Sequence, residues 1–296
     1  MQVSSLQQLN QLAGSISDVL DRFHVRGLSL RVPWDALDPT ILERASQLAH
    51  DAGAGLSIRV MAGRFTPAAV FDAGSPSYVV DGDRIPTPFF PDGSPNTVFE
   101  AAYTDLVTFL ASYCRAHDVH LLHLPWYGQE WAELNNGAEV RSQPGYSPAA
   151  ILEAHERLLD IAIPFAGDGL AIEYPMSGYG PLPALSQALT AHIVDTVGAR
   201  SRLVYVQANG LDQNGDWGAP SAGTEAAMDA AVFAQPVARG EQMIQPGDFP
   251  WDRVYAGLEA NGADYVEIYL PSFYGDGASQ LAAQIDAFNT ALGVPP

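Results

Sequence analysis

The sequence has no lysine. All 14 basic residues are arginine, against 34 aspartates and glutamates, for a net charge of −20. Such a field repels phosphate backbones and anionic lipid, which argues against nucleic-acid and membrane partners. Cysteine is nearly absent too: Cys114 stands alone, so no internal disulfide can form, and its setting among Leu106, Phe109, Leu110 and Tyr113 reads as a small buried hydrophobe. No apolar run approaches the roughly 18 residues that a bilayer-spanning helix needs. The start, Met1-Gln2-Val3-Ser4-Ser5, lacks the basic and apolar regions of a secretory signal. No strand is followed by a Gly-rich phosphate loop; Gly53-Ala54-Gly55 precedes a strand instead of opening a helix. A G-x-S-x-G nucleophile elbow is also missing.

What is present is globular. Hydrophobic residues make up 47% of the chain and charged residues 16%, and 296 residues suffice for one large domain spanning 1–296. Short aliphatic runs alternate with longer helical patterns from end to end. The runs are 28–32, 56–60, 119–124, 170–173, 203–207, 237–243 and 265–270; the helical patterns cover 6–23, 40–52, 96–117, 147–161, 182–197, 224–233, 251–261 and 279–292. Strands of this kind are buried on both faces, and such alternation predicts a parallel sheet with right-handed crossovers. Reading Met1–Ser4 as one more strand gives eight β/α units, hence a (β/α)₈ TIM barrel. Residues 61–95 form one unusually long connection, rich in proline and carrying Phe65, Phe71, Tyr78, Phe89 and Phe90, which predicts an ordered loop over the barrel mouth.

Barrels of this type place their sites at the C-terminal ends of the strands. Reading what lies there gives Trp34 and Asp35, Arg59 and Arg64, Trp126, Tyr127, Glu130, Trp131 and Glu133, Glu173, Gln207 and Asn209, Glu241 and Gln242, then Glu267 and Tyr269. Aromatic rings stack on the CH faces of sugars, and amides and carboxylates bind hydroxyls, so the rim suits a carbohydrate partner. Glutamates inside strands are costly to bury unless paired or used. Arg31 and Arg59 hold equivalent positions in two similar strands and could neutralise them. His120 and His123 point to opposite faces of one strand and cannot share a metal, and no other cluster has metal spacing. Neither a metal nor a cofactor is expected.

Three stretches, GLSLRVPWDALDP, GLSIRVMAGRFTPAAVF and LVTFLASYCRAHDVHLLHLPWYGQEWAEL, resemble the clan A (β-galactosidase-like) barrel glycoside hydrolases. The likeness covers the first half of the chain; the second half follows by layout. It implies hydrolysis of a β-linked glycoside by two carboxyl groups. Glu133, or Glu130, would be the acid/base, and Glu241, Glu173 or Glu267 the nucleophile or stabiliser. Trp34, Trp126, Trp131 and Trp217 would stack on sugar, with Asp35, Arg59, Arg64, Tyr127, Gln207, Asn209, Gln242 and Tyr269 also contacting it. Two departures stand out. The family places Asn directly before its acid/base Glu, whereas Gln129 and Ala132 precede Glu130 and Glu133, and Glu241 comes early for a strand-end nucleophile. The alternative is a barrel that holds glycan without cleaving it, beside other subunits of a larger assembly. Composition and the missing signal resemble tail-associated proteins of actinobacterial phages, which implies a cytoplasmic or virion-associated chain. A barrel lyase or isomerase for sugar acids is a third reading, disfavoured because it usually needs a metal or a lysine.

Overall fold

The computed structural model describes residues 5–128, 141–175, 183–211, 236–243 and 249–293. Their strands, in chain order, are β1 (Gly27–Pro33), β2 (Gly55–Met61), β3 (Ser77–Val80), β4 (Asp83–Pro86), β5 (Val119–His123), β6 (Ala171–Pro175), β7 (Val204–Leu211), β8 (Ala238–Met243) and β9 (Tyr265–Glu267). The helices are α1 (Leu6–Arg22), α2 (Pro39–Asp51), α3 (Ala68–Asp72), α4 (Thr97–Ala116), α5 (Pro148–Ala162), α6 (Pro183–Val197), α7 (Trp251–Asn261) and α8 (Ala278–Ala291). Seven strands form one sheet in the order β1-β2-β5-β6-β7-β8-β9, every neighbouring pair parallel. The fold is a TIM barrel. Two corrections apply to the expected closed ring of eight. Among the described residues the ring has seven strands, and β1 and β9 meet through side chains, not backbone pairing. The strand expected at Met1–Ser4 and the helix at 224–233 lie outside the described residues.

Local chemistry sets the boundaries. Ser5, Asp38, Asn96 and Ser147 cap α1, α2, α4 and α5 by accepting from backbone N–H groups of the first turn, and proline opens α2 and α5. Gly262, at φ 63°, ends α7 in the left-handed conformation that glycine adopts without cost. The long connection at 61–95 is ordered but not a plain loop: it contains α3 and the antiparallel β3–β4 hairpin. Asn96, fully buried, clamps it by donating to the Thr87 carbonyl at 2.7 Å and to Ser75 Oγ at 2.9 Å.

A main core lies between the sheet and α1, α2, α4, α5 and α6. A second core joins α1, α7, α8 and the 3-10 turn Leu270–Tyr274 through Val19, Phe23, Trp251, Leu258, Phe273 and Leu281. Cys114 is fully buried, as its apolar neighbours imply, and burial pushes its thiol up to about 12. No helix of the described residues is long and apolar enough to cross a membrane.

His155 of α5 has no exposed surface; its Nδ1 lies 2.9 Å from the Ile151 carbonyl and its Nε2 3.3 Å from that of Tyr127. Burial depresses its pKa to about 4, outweighing both carbonyls. Between the ordinary histidine value near 6.5 and about 4, the unfolded chain therefore binds a proton that the folded chain refuses, so stability falls as pH falls through that window. Its share reaches about 3 kcal/mol at pH 4. His155→Gln should remove that part of the slope in urea titrations at pH 7 and pH 4. An unchanged slope would mean the imidazole is charged in the native state.

Candidate functional site

Strands β1 and β2 read GLSLRVP and GLSIRVM and pair without a slip, so Arg31 stands beside Arg59. Arg59 in turn pairs with His123 of β5, and His123 with Glu173 of β6. Four consecutive strands thus place a charged or titratable residue at one level, all facing the lumen. Across the barrel, Gln207 is level with Gly240 and Gly240 with Tyr265, while Gln242 is level with Glu267. Barrel lumens are ordinarily filled by branched aliphatic side chains at such positions. Here the layer is polar and almost dry: Arg59, His123, Glu173, Gln207 and Gln242 are each at most 2% exposed.

Arg59 is the hub. Its NH2 group lies 2.7 Å from His123 Nδ1 and donates to Gln207 Oε1 at 2.9 Å and Glu267 Oε2 at 3.0 Å; its NH1 is 3.8 Å from Glu173 Oε2. Arg31 reaches Glu267 Oε2 at 3.3 Å and the Tyr269 hydroxyl at 3.0 Å, and Ser29 Oγ donates to Glu267 Oε1. Tyr265 donates to Gln207 Oε1 at 2.6 Å, and Gln207 Nε2 to Gln242 Oε1 at 2.9 Å. Two arginines therefore face two glutamates within one connected network.

Burial alone would raise the Glu267 carboxyl, but Arg59, His123 and Arg31, with the Ser29 hydroxyl, outweigh it and hold it far below the usual carboxylate range. Burial, reinforced by Arg59, lowers His123 against the opposing pull of Glu267 and Glu173, so the ring is neutral at pH 7. Its Nδ1 lies 3.0 Å from Glu173 Oε2 as well as 2.7 Å from Arg59, and its Nε2 is 3.5 Å from Glu267 Oε1. Burial raises the Tyr265 phenol well above its ordinary value, so it remains a donor. Among the described residues no group of three His, Cys, Asp or Glu could hold a metal ion; the cation between these side chains is the Arg59 guanidinium.

A cavity of about 450 Å³ adjoins the layer on the side where β1 and β9 do not pair. Arg31, Tyr265, Glu267 and Tyr269 belong to both. The rest of the wall is mainly apolar, from α1, α7 and α8.

The structure brings together only some of the residues singled out in the sequence. Arg59, Glu173, Gln207, Gln242, Glu267 and Tyr269 converge, with Arg31 and His123 among them. Glu241 does not: alternation along β8 turns it away from the lumen, where Gly240 and Gln242 face, and it shares the outer face with Arg239. Trp126 and Tyr127 are 1% exposed and pack edge-on or tilted against Tyr174, Phe99 and His155, so they cap the core and offer no open stacking face. Trp34 packs edge-to-face on Phe99; Asp35, partly desolvated and raised for that reason, stands outside the network. Arg64 pairs with Asp83 at 3.3 Å and tethers the β3–β4 hairpin. Glu130, Trp131, Glu133, Trp217 and the Asn209 side chain lie outside the described residues. Sequence reasoning missed Ser29 and Tyr265. For Tyr265 the only signal is Gly240, where a Cβ would come within 2.0 Å of the Tyr265 ring.

Fold and site together define a TIM barrel with a charge-paired polar layer across its lumen. No protein-family model matches the sequence, and no curated protein matches it. The fold is similar to the crystal structure of an AP endonuclease of family 2 from Brucella melitensis, with TM-score 0.50 and 15% identity over 92% of each chain. It is also similar to a D-allulose 3-epimerase from Methylomonas sp. solved with D-allulose, with TM-score 0.45 and 11% identity over 98% of this chain and 92% of that one. The first of these is not a clan A glycoside hydrolase, which overturns the resemblance drawn from the three sequence stretches. Glycoside cleavage goes with it. The physical reason agrees. A glycosidase needs a protonated carboxyl facing an ionised one, whereas Glu267 is held ionised by two guanidinium groups and so cannot be the acid, and Glu241 faces away from the lumen.

Proposed function

We propose that the barrel binds a small neutral compound carrying hydroxyl and carbonyl groups, as carbohydrates do, and moves a proton on the carbon next to the carbonyl. The observation that carries this reading is the charged layer itself. Arg31, Arg59, His123, Glu173, Gln207, Gln242, Tyr265, Glu267 and Tyr269 replace aliphatic packing in a barrel lumen at a large desolvation cost, and four of them, Arg31, Tyr265, Glu267 and Tyr269, also line a cavity. Glu267 is ionised throughout the physiological range and acts as the base. The C–H bond breaks toward its carboxylate, and the electron pair moves to the carbonyl oxygen. Arg31 and the Tyr269 hydroxyl stabilise that developing oxyanion. Delivery of that proton to the former carbonyl carbon, while the hydroxyl proton of the neighbouring carbon passes through the Tyr269 hydroxyl to the oxyanion, completes an isomerisation without a net change of atoms. Arg59 and His123 hold Glu267 in place.

The test follows hydrogen–deuterium exchange by NMR, with the protein in D₂O and a panel of hydroxyketones and short ketoses. Exchange at the carbon beside the carbonyl is expected, falling about a hundredfold or more in Glu267→Gln, with circular dichroism unchanged. Exchange that persists in Glu267→Gln, or no exchange across the panel, rejects the reading.

A further inference from the structure

The cavity beside the polar layer has two unlike ends, and the difference identifies the molecule it fits. At its inner end stand Arg31, Glu267 and the Tyr269 hydroxyl, with the guanidinium and the carboxylate already paired at 3.3 Å. A charged ligand would have to break that pair or face it uncompensated, so the complementary head group is neutral and hydroxylated. The helical part of the wall is mainly apolar, with Val19 and Leu20 of α1, Leu258 and Trp251 of α7, and Ile285 and Phe288 of α8, while Arg26, Ser57, His120, Asp264, Gln284 and Asn289 are among the polar remainder. A polyol alone would leave its hydroxyls unpaired along that wall, at a cost of a few kcal/mol each. Hydrocarbon would not. The volume, about 450 Å³, falls within the usual range for a small-molecule site, and the cavity is continuous with the layer through Arg31, Tyr265, Glu267 and Tyr269, which belong to both.

We infer that the ligand is amphiphilic, a neutral hydroxylated head on an unbranched or lightly branched hydrocarbon body, with the head on Arg31, Glu267 and Tyr269 and the body between α1, α7 and α8. The position of the head rests on the function proposed above; the placement of the body does not. A free sugar is then a poor ligand and an alkyl-substituted hydroxy compound a good one.

Calorimetric titration of the full chain with 1,2-alkanediols of four to ten carbons tests this. The affinity should rise about fourfold per added methylene until the cavity is filled. Ile285→Trp, which occupies the cavity from α8, should abolish the dependence on chain length, and Ile285→Ala should extend it to longer diols. Thermal melts establish that both variants are folded. If Ile285→Trp does not fold, the Ile285→Ala arm decides alone. A flat affinity across the series, or an Ile285→Ala profile equal to that of the original protein, overturns the inference. Chain-length dependence without proton exchange by Glu267 would leave the hydrocarbon site standing and remove the chemistry; exchange without chain-length dependence would do the reverse.

Discussion

Arg59→Met should destabilise the protein by about 3–5 kcal/mol, because it removes one partner from a buried ionic network and leaves the others uncompensated. Arg59 is 1% exposed and contacts Glu267, Glu173, His123 and Gln207 at once. The loss should depend on pH with a definite sign. Glu267 has a depressed pKa in the folded state, so its pairing contributes stability above the ordinary carboxylate range and loses it as pH falls. Without Arg59 the buried carboxylate is driven toward protonation, so the gap between variant and original protein should be widest near pH 7 and narrow toward pH 4. Urea unfolding at both values measures it, and the contribution of His155 cancels in the difference. Adding Glu267→Gln to Arg59→Met should restore part of the loss, since it removes a buried carboxylate left with Arg31 as its one guanidinium partner. A double variant as unstable as the sum of the singles would show that the two side chains act independently.

Gly240→Ala is the second large effect. A Cβ at this position would sit 2.0 Å from Tyr265 Cζ and 2.3 Å from its hydroxyl oxygen, distances at which something must move. The ring is wedged between His123 and Tyr205, with its hydroxyl on Gln207, so it has no easy retreat. The expected cost is about 1–3 kcal/mol of overpacking, with loss of the Tyr265–Gln207 hydrogen bond in addition. In a Tyr265→Ala background the three nearest contacts are gone, and the same substitution should cost less than about 0.5 kcal/mol. Equal costs in the two backgrounds would place the strain elsewhere in β8.

The network also explains how a barrel can tolerate so much charge at its centre. Each arginine has at least two oxygen partners and each glutamate at least one cationic neighbour, so burial is offset by pairing. His123 fits the same economy. Its protonation would add a positive charge beside Arg59, which is one reason its pKa is lowered, and like His155 it contributes stability that declines as pH falls below the ordinary histidine value.

Much of the architecture was legible in the residues themselves. The near-identical runs GLSLRV and GLSIRV announce neighbouring strands, and their arginines pair in register as that repetition implies. Asp38-Pro39 and Ser147-Pro148 mark the starts of α2 and α5 because a side-chain oxygen one residue before a helix has a local partner, whatever the rest of the fold does. Composition alone set the acidic field and the buried thiol. The site was legible only as a list of candidates. Glu173, Glu241 and Glu267 look alike in the sequence, each a glutamate within or at the end of a strand, but the lumen admits two and turns the third away. Alternation has a period of two, so the choice depends on register between strands that lie up to about 240 residues apart. The tryptophans misled for a similar reason: a ring after a strand can cap the core or line a mouth, and only the packing of Trp126 on Tyr174 decides which. What the chain determines by itself is local, namely periodicity, caps and charge. Which glutamate meets which arginine is a property of the closed sheet, because the partners Ser29 and Glu267 become neighbours only after the barrel has brought its first and last described strands together.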